Sequence, residues 1–112
     1  MMELHVYAPG PVDAGLLRDH VVRRAHSTLA RFTDAIRRLS VRLEDENGPR
    51  GGVDKRCQVE IVGPDLATVV VEARADAWNR AIERALASAR RAVRRRLARG
   101  RALTRGPLPL PE

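Results

Sequence analysis

Arginine is the residue type with the clearest chemistry in this sequence. The stretch RRAVRRRLARGR, residues 90 to 101, places seven arginines in twelve positions. Residues 76 to 101 hold nine arginines against Asp76 and Glu83, whereas basic and acidic residues cancel in the rest of the chain, so the formal net charge of +7 arises in this one segment. A charge this localised favours a polyanionic partner, with nucleic acid first and an anionic membrane surface second. The alternative interpretation is a solvated helix face in an arginine-rich protein.

The guanidinium group determines which nucleic-acid chemistry is available. Its planar fork can hold a phosphate through two parallel hydrogen bonds. The chain has only three aromatic residues, Tyr7, Phe32 and Trp78, and the last two fall on apolar helix stripes. Stacking of bases on exposed rings is therefore not expected. The composition instead favours recognition of the phosphate backbone and of the shape of folded RNA by basic helix faces.

The sequence offers little for catalysis. His5, His20 and His26 lack the i, i+4 spacing of a metal pair, and Gly51-Gly52 lacks the lysine and following helix of a phosphate-binding loop. Cys57 falls on an inward strand position, where a buried thiol is inert. We therefore predict a protein that is not an enzyme and has no cofactor, no metal site and no small-molecule substrate.

Length and composition predict one globular unit in the cytoplasm. The 112 residues are 44% apolar and 31% charged, which suits a single domain rather than a disordered chain. No apolar run reaches the length of a membrane span, and the N-terminus does not resemble a signal peptide. A single cysteine agrees with a reducing compartment.

The elements that carry the arginines follow from apolar periodicity. A period of about 3.6 residues predicts a first helix over 14–31, and alternation with period two is typical of half-buried strands. The predicted strands are 3–7, 36–45, 57–61 and 67–73. Since one face of each strand is apolar, the order β-α-β-β-β-α predicts an α+β fold in which two helices pack on one face of a four-stranded sheet. The other sheet face, with Arg38, Arg42, Arg56, Gln58 and Glu60, is expected to be solvated.

A second helix is predicted from an N-cap at Asp76 to about Gly100. At 100° per residue, four of its arginines form a ridge about 22 Å long on the side away from the apolar stripe. These are Arg80, Arg84, Arg91 and Arg95. The prolines from position 107 indicate a flexible tail. We therefore divide the chain into a domain, 1–100, and a Pro-rich tail, 101–112.

Several motifs in this order resemble one protein family. They are the glycine-rich loop before GGVDKRCQVEI, the helix start DAWNRAIERA and its continuation RRAVRRRL. Together with the element order over about residues 3–99, they resemble the ribosome hibernation-promoting factor and ribosome-associated inhibitor family. The resemblance implies that the first two strands are parallel. It also implies binding to RNA of the small ribosomal subunit, in the channel used by messenger and transfer RNA, which silences idle bacterial ribosomes under stress.

The resemblance also indicates contact residues. Arg24, Arg91 and Arg95 match positions where the family usually has lysine or arginine, whereas Ser27 and Ser88 stand at positions that are often basic. Either neighbouring arginines compensate for these serines, or the affinity for RNA is lower. The full set expected to contact RNA is Arg23, Arg24, Arg31, Arg80, Arg84, Arg91, Arg94 and Arg95. Because the C-terminal domain of the long family members is absent from this sequence, the resemblance implies a short form that acts as a monomer on one ribosome or relies on another factor for ribosome pairing.

Two other functions stay open on the sequence alone. A general double-stranded RNA-binding module would use the same basic helices, and comparable affinity for plain hairpins and for small subunits would favour it. A basic protein-interaction module would instead dock on an acidic partner, and its binding would survive nuclease treatment. The proline-rich tail is compatible with this last hypothesis.

Overall fold

The order of helices and strands confirms the predicted α+β class. The computed structural model describes residues 2–8, 14–46 and 54–105. The elements are β1 (Glu3–Tyr7), α1 (Ala14–Thr28), β2 (Arg38–Asp45), β3 (Lys55–Gly63), β4 (Leu66–Ala75) and α2 (Trp78–Arg105). A short 3-10 helix, Ala30–Phe32, follows α1.

The four strands form one mixed sheet in the order β1-β2-β3-β4. β1 pairs with β2 in parallel, with Val6 opposite Val41. The remaining two pairs are antiparallel, with Val59 opposite Val41 on one side and Val71 on the other. A parallel β1–β2 pair needs a crossover, and α1 supplies it. Since β1, β2 and β4 point the same way and each helix returns against the strand before it, α1 and α2 run parallel to each other.

The core lies between the sheet and the two helices, which cover the same face. Strand residues alternate between buried and accessible positions, as in β2, where Leu39, Val41 and Leu43 are buried. The core contribution of α1 is Val21 and Ala25, followed by Leu29 just after the helix, and that of α2 includes Ile82, Ala85, Leu86, Ala89 and Val93. The apolar stripes predicted for both helices are thus confirmed in their central positions, and the arginine-bearing sides of the helices are left facing outward.

The first helix is shorter than predicted. We expected it to continue to residue 31, but α1 ends at Thr28 and the chain tightens into the 3-10 helix. The Phe32 N–H donates to the Leu29 carbonyl at 2.9 Å, and the Ala35 N–H donates to the Phe32 carbonyl at 2.9 Å. These i to i+3 bonds close a tighter turn than α-helical bonds do, which redirects the chain toward β2.

The second helix is longer than predicted. It runs through Gly100 to Arg105, so residues 101–105, which we assigned to the tail, are helical. A single glycine costs a helix only about 1 kcal/mol relative to alanine, and the neighbouring Arg, Ala and Leu residues are good helix formers. Residues 106–112 lie outside the described part of the chain. The division into domain and tail therefore stays a prediction.

Gly63 fixes the approach of the loop that precedes β2. The Arg37 N–H donates to the Val62 carbonyl at 2.8 Å. A Cβ atom on Gly63 would lie only 2.1 Å from the carbonyl oxygen of Ala35. The absence of a side chain there lets the loop pack directly on the turn between β3 and β4. This contact brings the chain to the start of β2.

Candidate nucleic-acid interface

The predicted ridge on α2 lies on the accessible side of the helix. Arg80, Arg84, Arg91 and Arg95 are all exposed, and the residues of the opposite stripe are buried. Fifteen residues at 1.5 Å each give the ridge its length of about 22 Å. The helix is amphipathic because its arginines and its small or branched apolar residues follow the same period out of phase. The guanidinium groups can therefore meet a ligand without disturbing the core.

The arginines at the two ends of the ridge differ in whether they already form hydrogen bonds or ion pairs within the protein. Arg80 Nη1 donates to Asp76 Oδ1 at 2.7 Å, and α2 begins at Trp78, two residues after the predicted N-cap. Arg84 Nη1 donates to the main-chain carbonyl of Arg74 at 3.0 Å. Over the described residues, neither Arg91 nor Arg95 has an ion pair or side-chain hydrogen bond. The C-terminal half of the ridge is therefore the half with uncommitted donors.

The basic part of α2 continues beyond the core. Val93 is the last residue of α2 whose described side chain is buried. Arg94 and Arg99 are exposed, and Arg96 is half-buried. The helix backbone extends twelve residues past Val93, to Arg105, which is about 18 Å.

A groove separates α1 from α2 on the outer surface of the helix layer. Its volume is about 500 Å³. The lining residues are Arg24, Ser27, Thr28, Ala30, Arg31, Glu83, Ala87 and Arg90. Two of the predicted contact residues, Arg24 on α1 and Arg31 in the 3-10 helix, lie here rather than on the ridge. Arg23 is exposed on α1 and is not part of the groove lining.

Arg24 is bound across the groove by Glu83. Its Nε donates to Glu83 Oε2 at 2.5 Å and its Nη2 donates to Oε1 at 3.1 Å, so the contact is bidentate. This hydrogen bond, together with the negative charge of Glu83, raises the pKa of Arg24 above its ordinary value. Both side chains are about two-fifths exposed. Arg24 thus reaches the predicted surface, but its charge is already compensated.

Arg90 is a groove residue that our sequence reasoning missed. It is exposed and lies opposite the segment that carries Arg31. The helical period places Arg90 between the ridge and the buried stripe, about 80° from the ridge. Arg90 lies in the groove only because this flank of α2 faces α1, and the spacing of arginines along one helix does not show which flank faces a neighbouring helix. The sequence feature that could have identified Arg90 is its position seven residues, or about two helical turns, after Glu83, which places both residues on the same flank of α2.

The two faces of the molecule differ sharply in charge. Along residues 14–99, the helices and the 3-10 helix carry twelve arginines and only two carboxylates, Asp19 and Glu83. The outward strand positions carry four arginines and four glutamates in the described part of the sheet. They are Arg38, Arg42, Arg56, Arg74, Glu3, Glu44, Glu60 and Glu72. The positive field of the protein is therefore a property of its helix layer.

Ion pairs neutralise much of the sheet face internally. Arg56 pairs with both Glu44 and Glu72, and Arg74 Nε donates to Glu46 Oε1 at 2.8 Å. The hydrogen bond from Arg74 lowers the pKa of Glu46 below its ordinary value. The prediction of a solvated face holds fully for Arg38 and Arg42, which are exposed, whereas Arg56, Gln58 and Glu60 are half-buried.

One aromatic side chain on this face is accessible. Tyr7 is 48% exposed, and the Arg42 guanidinium lies over its ring at 4.8 Å from the centroid. Phe32 and Trp78 are half-buried against the core, as their positions on the helix stripes predicted. A single exposed ring, already covered by a guanidinium, does not make a base-stacking platform.

Other kinds of site find no support in the described residues. Cys57 is fully buried, and burial raises the pKa of its thiol to about 12, which makes it a core residue rather than a nucleophile. Over ranges 2–8, 14–46 and 54–105, no three His, Cys, Asp or Glu side chains are grouped so that they could hold a metal ion. In the same ranges no helix has the length and apolar character needed to cross a bilayer.

Comparison with solved structures gives close matches of the fold. A ribosomal subunit interface protein from Coxiella burnetii superimposes with a TM-score of 0.69 at 14% identity, covering 88% of this chain and 99% of that one. The N-terminal domain of Protein Y from Thermus thermophilus superimposes with a TM-score of 0.67 at 20% identity, covering 85% and 98% respectively. At these identities the likeness establishes the fold. No curated protein matches the chain significantly in sequence.

The family follows from the sequence itself. Residues 16–101 match the family described as sigma 54 modulation protein / S30EA ribosomal protein, and this range includes three of the four strands and most of both helices. The match confirms the predicted resemblance, since hibernation factors belong to this group, whose members are ribosome-associated modulators of translation and not enzymes. The chain therefore belongs to the sigma 54 modulation protein / S30EA ribosomal protein family and has the ribosome as its partner.

Proposed function

We propose that this protein binds RNA of the small ribosomal subunit in the decoding channel and thereby blocks translation by idle ribosomes in the cytoplasm. The observation that carries the proposal is the charge contrast between the faces, with twelve arginines and two carboxylates on the helix layer and equal numbers of both signs on the sheet. Ribosomal RNA is a dense array of phosphates, and it attracts the helix layer far more strongly than the sheet face.

The arrangement of the arginines supports folded RNA as the ligand. The uncommitted donors of Arg91, Arg94 and Arg95 follow one side of a rigid helix, so they can contact successive phosphates along one strand. The groove between α1 and α2 offers two further cations, Arg31 and Arg90. A surface with two separate lines of positive charge suits RNA strands that approach one another, as they do in a folded subunit.

In this proposal the protein inhibits translation without catalysing a reaction. A protein whose helix layer fills the path of messenger and transfer RNA excludes them by occupancy, and its affinity sets the fraction of ribosomes silenced. The protein acts as a monomer, with the neutral sheet face turned away from the RNA. Seven of the eight arginines predicted from the sequence, together with Arg90, form the proposed contact surface, and Arg24 lies within that surface in its ion pair with Glu83.

Sedimentation with purified subunits tests the proposal. We expect the protein to travel with small subunits and not with large subunits through a sucrose gradient, at low and at moderate salt. Preloading the small subunits with messenger RNA and transfer RNA should reduce binding, because both ligands occupy the proposed site. Equal association with both subunits that disappears at moderate salt would contradict the proposal. It would favour the general double-stranded RNA-binding function, as would equal affinity for a plain RNA hairpin.

A further inference from the structure

The groove between α1 and α2 has two ends of different charge. At one end, Arg24 and Glu83 form their bidentate ion pair, so this end carries no net charge. At the other end, Arg31 and Arg90 line the groove, and the described structure shows no carboxylate partner for either. Because the helices run parallel, moving seven residues along each chain leads from the Arg24–Glu83 pair to Arg31 and Arg90. The groove is therefore neutral at one end and doubly positive at the other.

The lining of the positive end suits an anion of small size. Ala30 and Ala87 leave space between the two segments, because their side chains end at Cβ. Ser27 and Thr28 line the same groove and add hydroxyl groups that can donate to a phosphate oxygen. Two guanidinium groups with hydroxyl donors beside them form a typical phosphate-binding set.

We propose that the groove seats an RNA phosphate at its Arg31–Arg90 end, and that Glu83 excludes phosphate from the other end by holding Arg24 in an ion pair. The inference rests on the proposed function. It adds a phosphate subsite at Arg31 and Arg90, and it assigns to Glu83 the role of confining the phosphate to that end of the groove. Glu83 acts on the RNA in two ways. Its carboxylate repels a phosphate that approaches the neutral end, and it keeps the donors of Arg24 occupied. Glu83 is thus a positioning residue for the RNA backbone.

Substitutions at the two ends should have opposite effects on binding to purified small subunits. Each phosphate contact contributes about 0.7 to 0.9 to the slope of log affinity against log salt. Arg90→Gln should lower the slope by about that amount and weaken binding about 5- to 8-fold near 0.1 M salt. Glu83→Gln should raise the slope and strengthen binding by similar factors, since it frees Arg24 for a phosphate. Circular dichroism checks that each variant is folded.

Matched controls separate the groove from the net charge of the protein. Arg38→Gln and Glu60→Gln make the same changes in charge on the sheet face; they should change the affinity by less than about threefold, through net charge alone, and leave the slope unchanged. Adding Arg24→Gln to Glu83→Gln should return affinity to the wild-type value, because the gain depends on the freed Arg24. If Glu83 serves only to join the helices, Glu83→Gln will lower the melting temperature and leave the salt slope unchanged. That result would overturn the inference, as would an unchanged slope in Arg90→Gln.

A failure of the phosphate-subsite proposal can be distinguished from a failure of the proposed function. If the wild-type protein does not select the small subunit, the proposed function fails, and the same variants are then measured on a plain RNA hairpin. Opposite changes in slope for Arg90→Gln and Glu83→Gln on the hairpin would still support the subsite. Absence of binding to both RNAs would overturn both proposals.

Discussion

Replacing Arg91 and Arg95 by glutamine tests whether the helix layer faces the RNA. Both side chains are exposed, and neither has an ion pair over the described residues. They stand four residues apart on α2, so both lie on the same side of the helix. The sheet face offers a matched pair, Arg38 and Arg42, which are also exposed and also four residues apart. Both double variants remove two positive charges, but from opposite faces of the molecule.

The expected loss follows from the number of phosphates released. If Arg91 and Arg95 each contact one phosphate, their removal lowers the salt slope by about 1.4 to 1.8. At about 0.1 M salt this corresponds to a loss in affinity of about 25- to 60-fold. The free energy of unfolding should change by no more than about 0.5 kcal/mol for each substitution, since both side chains are exposed and project from the side opposite the buried stripe. Arg38→Gln with Arg42→Gln should weaken binding less than about threefold, through net charge alone.

Binding isotherms at four salt concentrations, with labelled protein and purified small subunits, measure slope and affinity together. Thermal unfolding of the free variants provides the check on folding. Equal losses for the two pairs would refute the assignment of the helix layer, because they would show that binding depends on total charge and not on its position. A loss confined to the sheet-face pair would place the interface on the opposite side.

Three further predictions concern stability and reactivity. Gly63→Ala should lower the free energy of unfolding by about 1–3 kcal/mol, because the new Cβ would meet a carbonyl oxygen at 2.1 Å. Gly15→Ala should raise the free energy of unfolding by up to about 1 kcal/mol, because its Cβ would have nothing within 4 Å. Equal effects of the two substitutions in urea unfolding would contradict this packing. The Cys57 thiol, whose pKa burial raises to about 12, should react with iodoacetamide near pH 8 only after unfolding, and fast labelling of the folded protein would contradict its burial. The hydrogen bond from Arg56 lowers the pKa of Glu72, so the stability that this carboxylate contributes is present above its ordinary pKa of 4.5 and lost as the pH falls through the folded value. The urea midpoint should therefore fall less between about pH 5 and pH 3 in Glu72→Gln than in the wild type, and equal falls would contradict the ion pair.

The α+β class and the order of the elements could be predicted because each element carries its own periodic signal, whereas the parallel pairing of the first two strands was implied only by the family resemblance. Leu39, Val41 and Leu43 alternate with polar residues, and their burial follows from that alternation alone. The ends of the helices were harder to predict. The 3-10 helix after Thr28 depends on how the chain must turn toward β2, and the continuation of α2 beyond Gly100 depends on helix propensities that outweigh one glycine. Both boundaries reflect balances of a few kcal/mol or less, which residue patterns do not resolve.

Only the part of the candidate interface that lies on a single helix could be predicted from residue periodicity. The ridge is a property of one helix, so its period suffices to place Arg91 and Arg95 together on the outer side. The groove is a property of two helices and depends on their relative orientation. The pairing of Arg24 with Glu83 joins residues 59 positions apart, and nothing in either local sequence indicates it. The same orientation gives Arg90 its place in the groove, and for this reason the helical period alone did not identify it.

The charge contrast between the helix layer and the sheet has a consequence for the rate at which the protein finds its ligand. A body that is strongly positive on one side and neutral on the other has a large dipole, and the field of a polyanion turns it before contact. Most encounters then occur with the helices already facing the phosphates, which raises the association rate constant toward the range of about 10⁸ to 10⁹ M⁻¹ s⁻¹ at low salt. Ionic strength would act first on this capture step, since salt shortens the distance over which the field can orient the protein.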